Sequence, residues 1–201
     1  KPLFKIFVSW EVKGRENVPS TGPLIVVANH VHLVDGPLLA LSFTRWINFM
    51  AKEQLFRYPV LRLIIRWSQA FSVYRQGTIK DTRQALEQAK NMLNRGLVLG
   101  VFPEGLRSRE ARLLDGKPGA AVVASRMDIP LLPVGIIGTG ELKGISWLWR
   151  RPHVVINIGR PFKLPSVDGR LTRPQTKLLA EAMMHKIAIL LPPENRGIYG
   201  D

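Results

Sequence analysis

The chain has 201 residues, 46% hydrophobic and 22% charged, with no cysteine and a formal net charge of +14 at pH 7. That balance sustains a buried core and excludes intrinsic disorder, and the missing cysteine excludes disulfides, thiolate metal sites and a thiol nucleophile. The positive charge points to an anionic partner, whether nucleic acid, acidic lipid or a phosphorylated substrate.

Lys1 to Val8 alternates basic and apolar residues, as the tail of an amphipathic segment would. The chain opens on Lys1 rather than Met, which leaves room for an N-terminal anchor upstream. No apolar run reaches the roughly 18 residues of a bilayer span, and no signal peptide is visible. Trp10 to Asn17 is strand-like, and Pro19 to Pro23 reads as a turn. Leu24 to Ala28 is a continuous apolar run and predicts a buried strand. A short helix is expected over Pro37–Thr44 and a strand over Asn48–Ala51.

Pro59 opens a predicted helix to Ser68, with a wide apolar face and Arg62 and Arg66 one turn apart. Ala70–Tyr74 reads as a strand. Asp81–Arg95 is the clearest helix, with Ala85, Leu86, Ala89, Met92 and Leu93 at helical spacing and Gly96 as its stop. Leu97–Phe102 predicts a buried strand, Pro118–Met127 a helix, Leu131–Ile137 and His153–Ile158 strands, and Thr172–Leu191 a closing helix. Trp147–Arg151 is an aromatic and basic loop. Strands alternate with helices, so the expected fold is α/β: one domain over residues 1–201, with a largely parallel central sheet and helices on both faces.

Chemistry concentrates where two of these strands end. After Ala28 the chain reads Asn29-His30-Val31-His32-Leu33-Val34-Asp35-Gly36-Pro37. On a regular helix, positions five apart lie roughly 140° apart, so His30 and Asp35 meet only if His30 sits in the elbow and Asp35 at the start of the next helix. Asp35 is placed to cap that helix and Pro37 to occupy its first turn. A carboxylate that fixes one imidazole tautomer turns the other ring nitrogen into a general base. The plain alternative is a capping aspartate beside an unrelated loop histidine.

The second strand end is Phe102-Pro103-Glu104-Gly105-Leu106-Arg107-Ser108-Arg109. In a parallel sheet it shares a rim with His30. Glu104 with two arginines can bind a phosphate and a neighbouring hydroxyl, the guanidinium fork suiting phosphate oxygens. The competing reading is a solvated loop with internal Glu–Arg pairs.

His30 and Asp35 resemble the H-x4-D signature of the glycerolipid acyltransferases, which include the 1-acylglycerol-3-phosphate acyltransferases. Phe102–Ser108 resembles that family's F-P-E-G-[ST]-R-S block, with Leu106 in place of the usual threonine or serine. Phe71–Arg75 is similar to a block that ends in a substrate-binding arginine. Ile129–Val134 is similar to the final block with its paired prolines, and Lys117-Pro118-Gly119 fits a lysine–glycine step. The matched blocks run from residue 29 to about 138 in the family's order.

The resemblance implies a glycerol-3-phosphate acyltransferase-like fold. It also implies transfer of a fatty acyl group from an acyl-thioester to the sn-2 hydroxyl of 1-acyl-glycerol-3-phosphate, giving phosphatidic acid. His30 is then the base and Asp35 its support. Arg75, Arg107 and Lys117 are candidates for the acceptor phosphate. Glu104 accepts from an acceptor hydroxyl or orients an arginine, and Gly105 lets backbone amides approach phosphate or oxyanion. A thiolate leaves readily, so no metal and no cofactor is expected, with acyl-CoA or acyl carrier protein as co-substrate. G-x-S-x-G is absent, which favours direct attack over an acyl-enzyme. Arg57, Arg62, Arg66, Arg75 and Lys80 fall in a stretch without acidic residues, as do Lys143, Arg150, Arg151, Arg160 and Lys163, with Phe56, Tyr58, Trp67, Trp147 and Trp149 among them. Such stretches suit an anionic membrane surface, so the expected location is the cytoplasmic face of a membrane.

Three alternatives stand beside this reading. The same chemistry could serve another acceptor: glycerol 3-phosphate, a lysophospholipid with a head group, or a sugar. A zinc hydrolase would use His30-x-His32-x-x-Asp35, but that spacing is one residue too long for H-x-H-x-D-H, and Gly36 stands where the last histidine belongs. A basic nucleic-acid-binding module fits the charge, yet no such motif is present and nucleic acid is not expected as a partner.

Overall fold

The structure, a computed structural model, describes residues 9–52, 71–73, 79–142, 151–167, 169 and 171–200. The predicted Pro59–Ser68 helix, the Trp147–Arg151 loop apart from Arg151, the Lys1–Val8 segment and Arg75 lie outside the described residues.

Seven strands form one sheet among the described residues: β1 Ser9–Lys13, β2 Leu24–Ala28, β3 Ile47–Lys52, β4 Phe71–Val73, β5 Val98–Val101, β6 Leu131–Ile137 and β7 His153–Ile158. Their order is β1-β7-β6-β2-β5-β3-β4. The run from β6 to β4 is parallel throughout. β7 joins β6 antiparallel, and β1 lies parallel to β7, so one edge of the sheet is reversed.

β2 explains why the sheet needs cover on both sides. Its five residues, Leu-Ile-Val-Val-Ala, are all buried. Successive side chains of a strand point to opposite faces. Leu24, Val26 and Ala28 join one apolar cluster with Leu38 and Leu39 of helix α1, Asp35–Ser42. Ile25 and Val27 join the other, with Ala89 and Leu93 of α2 (Ile79–Asn94), Ala121 and Ala124 of α3 (Gly119–Arg126) and Met183, Met184 and Ile187 of α4 (Arg173–Ala188). The largely parallel α/β sheet with helices on both faces is therefore the observed architecture. No helix of the described residues is long and apolar enough to cross a membrane.

Element ends follow local chemistry. The strand-like stretch Trp10–Asn17 divides: β1 stops at Lys13 because Gly14 turns left-handed (φ 77°), and Arg15–Asn17 is a short 3-10 turn. α2 stops as expected at Gly96, whose φ of 72° lets its amide return to the Leu93 carbonyl at 2.9 Å. α4 opens on a capping box, with Thr172 and Gln175 each bonding the other's backbone amide.

What matters for the site is the β2–β5 pair. Leu24 faces Val98 and Val27 faces Val101, so the two strands end level and the chain leaves both on the same rim. That rim is the carboxyl edge, where open α/β sheets bind ligands.

Candidate active site

Asn29 closes β2. Its amide group donates to the Ile136 carbonyl at 2.8 Å and accepts from the Ile136 amide at 2.7 Å, continuing the β2–β6 ladder with a side chain. The buried asparagine thereby fixes where the backbone stands when it reaches His30.

His30 follows in the elbow. Its Nδ1 lies 2.9 Å from Asp35 Oδ2. The same oxygen accepts from the Val31 and His32 amides, each at 2.7 Å. Asp35 is fully buried, and its Oδ1 has no hydrogen-bond partner among the described residues. A buried ionised carboxylate can only accept, so the proton between the pair belongs to Nδ1, and Nε2 carries the lone pair. The imidazole also stacks on Phe102, with centroids 4.1 Å apart and planes 16° apart, and Phe102 in turn stacks on Phe49. One ring edge is thus fixed by hydrogen bonding and one face by packing. The His30 side chain stays 19% exposed, enough to meet a substrate.

Asp35 does this without capping α1 as expected. The cap position is Val34, and Asp35 is the first helical residue, with its side chain turned back along the elbow. The physical reason is competition: two amides and an imidazole outside the helix offer more partners than the helix's own free amides. Pro37 lies in the first turn, as expected.

The 102–108 loop grips the His30 backbone from the other side. Glu104 Oε1 accepts the His30 amide at 2.7 Å, and Ser108 donates its amide to the His30 carbonyl at 2.8 Å. Glu104 Oε2 accepts the Leu114 amide at 2.9 Å. Both oxygens thus serve the backbone of this chain, a structural role beside the expected contacts to an acceptor hydroxyl or an arginine. Glu104 is 2% exposed, and burial pushes its carboxyl up to about 7; the Leu114 and His30 amides pull the other way, and the Asp35 charge adds to the rise.

Gly105 sits left-handed at φ 72°. A Cβ there would come within 2.7 Å of Lys117 Nζ, so the glycine is what allows the Lys117 side chain to lie across the turn. The glycine's own amide is used inside the turn, donating to the Phe102 carbonyl at 3.0 Å. The turn also leaves room for Lys117 beside it. Lys117 and Arg107 are both exposed on this rim, and Leu106 is 56% exposed beside them.

The structure therefore brings His30, Asp35, Glu104, Gly105, Arg107 and Lys117 to one edge. Sequence reasoning assigned no task to Asn29, Phe102 or Leu114. A polar residue ending an all-apolar strand was the available signal for Asn29. Chemically, the arrangement is a tautomer-fixed base next to exposed cations. Among the described residues, no group of three or more His, Asp or Glu could hold a metal ion.

The chain is 29% identical to a chloroplastic 1-acyl-sn-glycerol-3-phosphate acyltransferase of Arabidopsis thaliana, over 90% of this chain and 50% of that protein. It is 31% identical to a 1-acyl-sn-glycerol-3-phosphate acyltransferase of Saccharomyces cerevisiae, over 79% of this chain and 54% of the other. The chain thus spans about half the length of these curated relatives. The crystal structure of the 1-acyl-sn-glycerophosphate acyltransferase PlsC from Thermotoga maritima superposes with a TM-score of 0.65 at 31% identity, covering 92% of this chain and 73% of that one. Residues 9–137, more than half of the 201, match the family model described as Acyltransferase, and the chain belongs to that family.

Proposed function

We propose that the protein transfers a fatty acyl group from an acyl-thioester, carried by coenzyme A or acyl carrier protein, to the sn-2 hydroxyl of 1-acyl-glycerol-3-phosphate, giving phosphatidic acid. The observation that carries this reading is the 2.9 Å contact between His30 Nδ1 and Asp35 Oδ2, on the rim that also presents Lys117 across Gly105.

A free hydroxyl is a poor nucleophile at neutral pH. Nε2 of His30 takes its proton as the oxygen attacks the thioester carbonyl, and Asp35 stabilises the imidazolium that forms. The tetrahedral adduct collapses by breaking the C–S bond, and the imidazolium returns its proton to the departing thiolate. A positioned base of this kind contributes roughly 10²–10⁴-fold in rate. Lys117 and Arg107, together with Arg75, receive the acceptor phosphate. Because the substrates are lipids, the reaction belongs at a membrane surface, which we place at the cytoplasmic face; the net charge of +14 favours anionic lipid there.

Leu106 supports a second reading. Its side chain stands exposed where the family's block has a hydroxyl, which leaves the same chemistry open to a different acceptor. Labelled acyl-CoA offered with a panel of acceptors separates the two, with 1-acyl-glycerol-3-phosphate expected to be preferred. In the same assay His30→Ala is expected to lose at least about 100-fold in transfer while still unfolding in one cooperative transition. Retained transfer by that variant would remove His30 from the chemistry.

A further inference from the structure

The strap of residues 111–117 has no regular secondary structure, so its place is set by what its backbone meets. On one side it is tied to the site: Leu114 donates its amide to Glu104, and Lys117 donates its own to the Pro103 carbonyl at 2.9 Å. On the other side it meets the C-terminal turns Pro193–Asn195 and Gly197–Tyr199. The Leu113 amide donates to the Asn195 carbonyl at 2.8 Å, and Asn195 Nδ2 donates to the Ala111 carbonyl at 2.8 Å. The Gly116 amide donates to Tyr199 Oη at 3.3 Å, and that hydroxyl faces Asp115 Oδ1 at 3.4 Å. Gly197, at φ 57°, packs so tightly on the Leu113 carbonyl that a Cβ there would collide with it. Tyr199 is 6% exposed and shares a core cluster with Leu113. Arg196 Nε donates to the Leu191 carbonyl at 3.0 Å, anchoring the turns just beyond α4.

The geometry points to these C-terminal turns, with Tyr199 and Asn195 as their working residues, as a positioning device for the acceptor-phosphate site. They hold the strap from outside. The strap's last residue presents its ammonium across Gly105, and the strap's centre is joined through Glu104 to the His30 amide. The turns touch none of the reacting atoms and lie beyond the region shared with the family model. The phosphate identity of the ligand rests on the function proposed above; the mechanical link does not.

The test uses the full chain with Tyr199→Phe, which keeps the buried ring, and with Asn195→Ala. Two quantities are read: KM for 1-acyl-glycerol-3-phosphate against KM for acyl-CoA, and amide hydrogen exchange across residues 111–117. Tyr199→Phe loses the hydroxyl that meets the Gly116 amide and Asp115, and Asn195→Ala loses the tie to the Ala111 carbonyl, so in each the acceptor KM is expected to rise about five-fold, with the donor KM unchanged and exchange across the strap faster. An unchanged acceptor KM, an equal rise in both KM values, or unaltered exchange would overturn the proposal. Should the wild-type protein not use this acceptor, the proposed function falls separately. Titration with glycerol 3-phosphate then decides the link: weaker binding in both variants supports it, and equal binding overturns it.

Discussion

Asp35 and Glu104 are two buried carboxyls on one rim, and their partners divide their work. Asp35 concentrates three donors on one oxygen, which offsets the cost of keeping a charge out of water and locks the His30 ring. Among the described residues Glu104 has two backbone donors, one on each oxygen, and burial raises it from 4.5 to about 7. Between those two values the folded protein holds a proton that the unfolded chain has released. Rising pH therefore favours unfolding across that window, and this contribution is complete below it and lost above it. Glu104→Gln cannot titrate, and it also gives up one of the two amide bonds. Melting curves of both proteins over a pH series are expected to show the wild type losing stability relative to the variant as pH climbs through the window, by at most about 3 kcal/mol. A constant difference between the two would mean that Glu104 is ionised throughout.

At the scale of elements, what was legible depended on whether the signal was local. β2, β6 and β7 fall where expected to the residue, because each is an apolar or β-branched run bounded by Pro, Gly or charge. α1 begins two residues earlier than expected, since Asp35 turns its side chain back to the elbow and leaves the cap to Val34. The His30–Asp35 pairing was one of two readings the elbow's spacing allowed, and the resemblance to the H-x4-D block favoured it. The structural task of Glu104 was not: its second partner, Leu114, lies ten residues on in a strap without periodicity. The hold of the C-terminal turns on that strap joins residues 84 apart, as with Asn195 and Ala111, and no local pattern announces such a contact. The reversal of β7 and β1 also escaped, because pairing direction depends on which strands become neighbours across the sheet and not on either strand's own residues.

For the whole molecule, the proposed contact with a lipid surface bearing negative head groups draws on the net charge of +14 and on the exposed Arg107, Lys117, Leu33 and Leu106 in the segments near His30 and Glu104. Charge of this kind is screened by salt, while buried apolar contact is not. Sedimentation with vesicles containing phosphatidic acid is expected to carry the protein down at about 50 mM salt and to lose most of it by about 500 mM, whereas neutral phosphatidylcholine vesicles leave it in solution. Equal binding to both lipids would assign the charge to another partner.

The central claim is that Asp35 selects one tautomer of His30 and so makes Nε2 a base. Nitrogen-15 NMR of the imidazole tests it with no substrate present. At neutral or mildly alkaline pH the neutral ring is expected to carry its proton on Nδ1, with an unprotonated Nε2. A proton on Nε2 and a bare Nδ1 would contradict it.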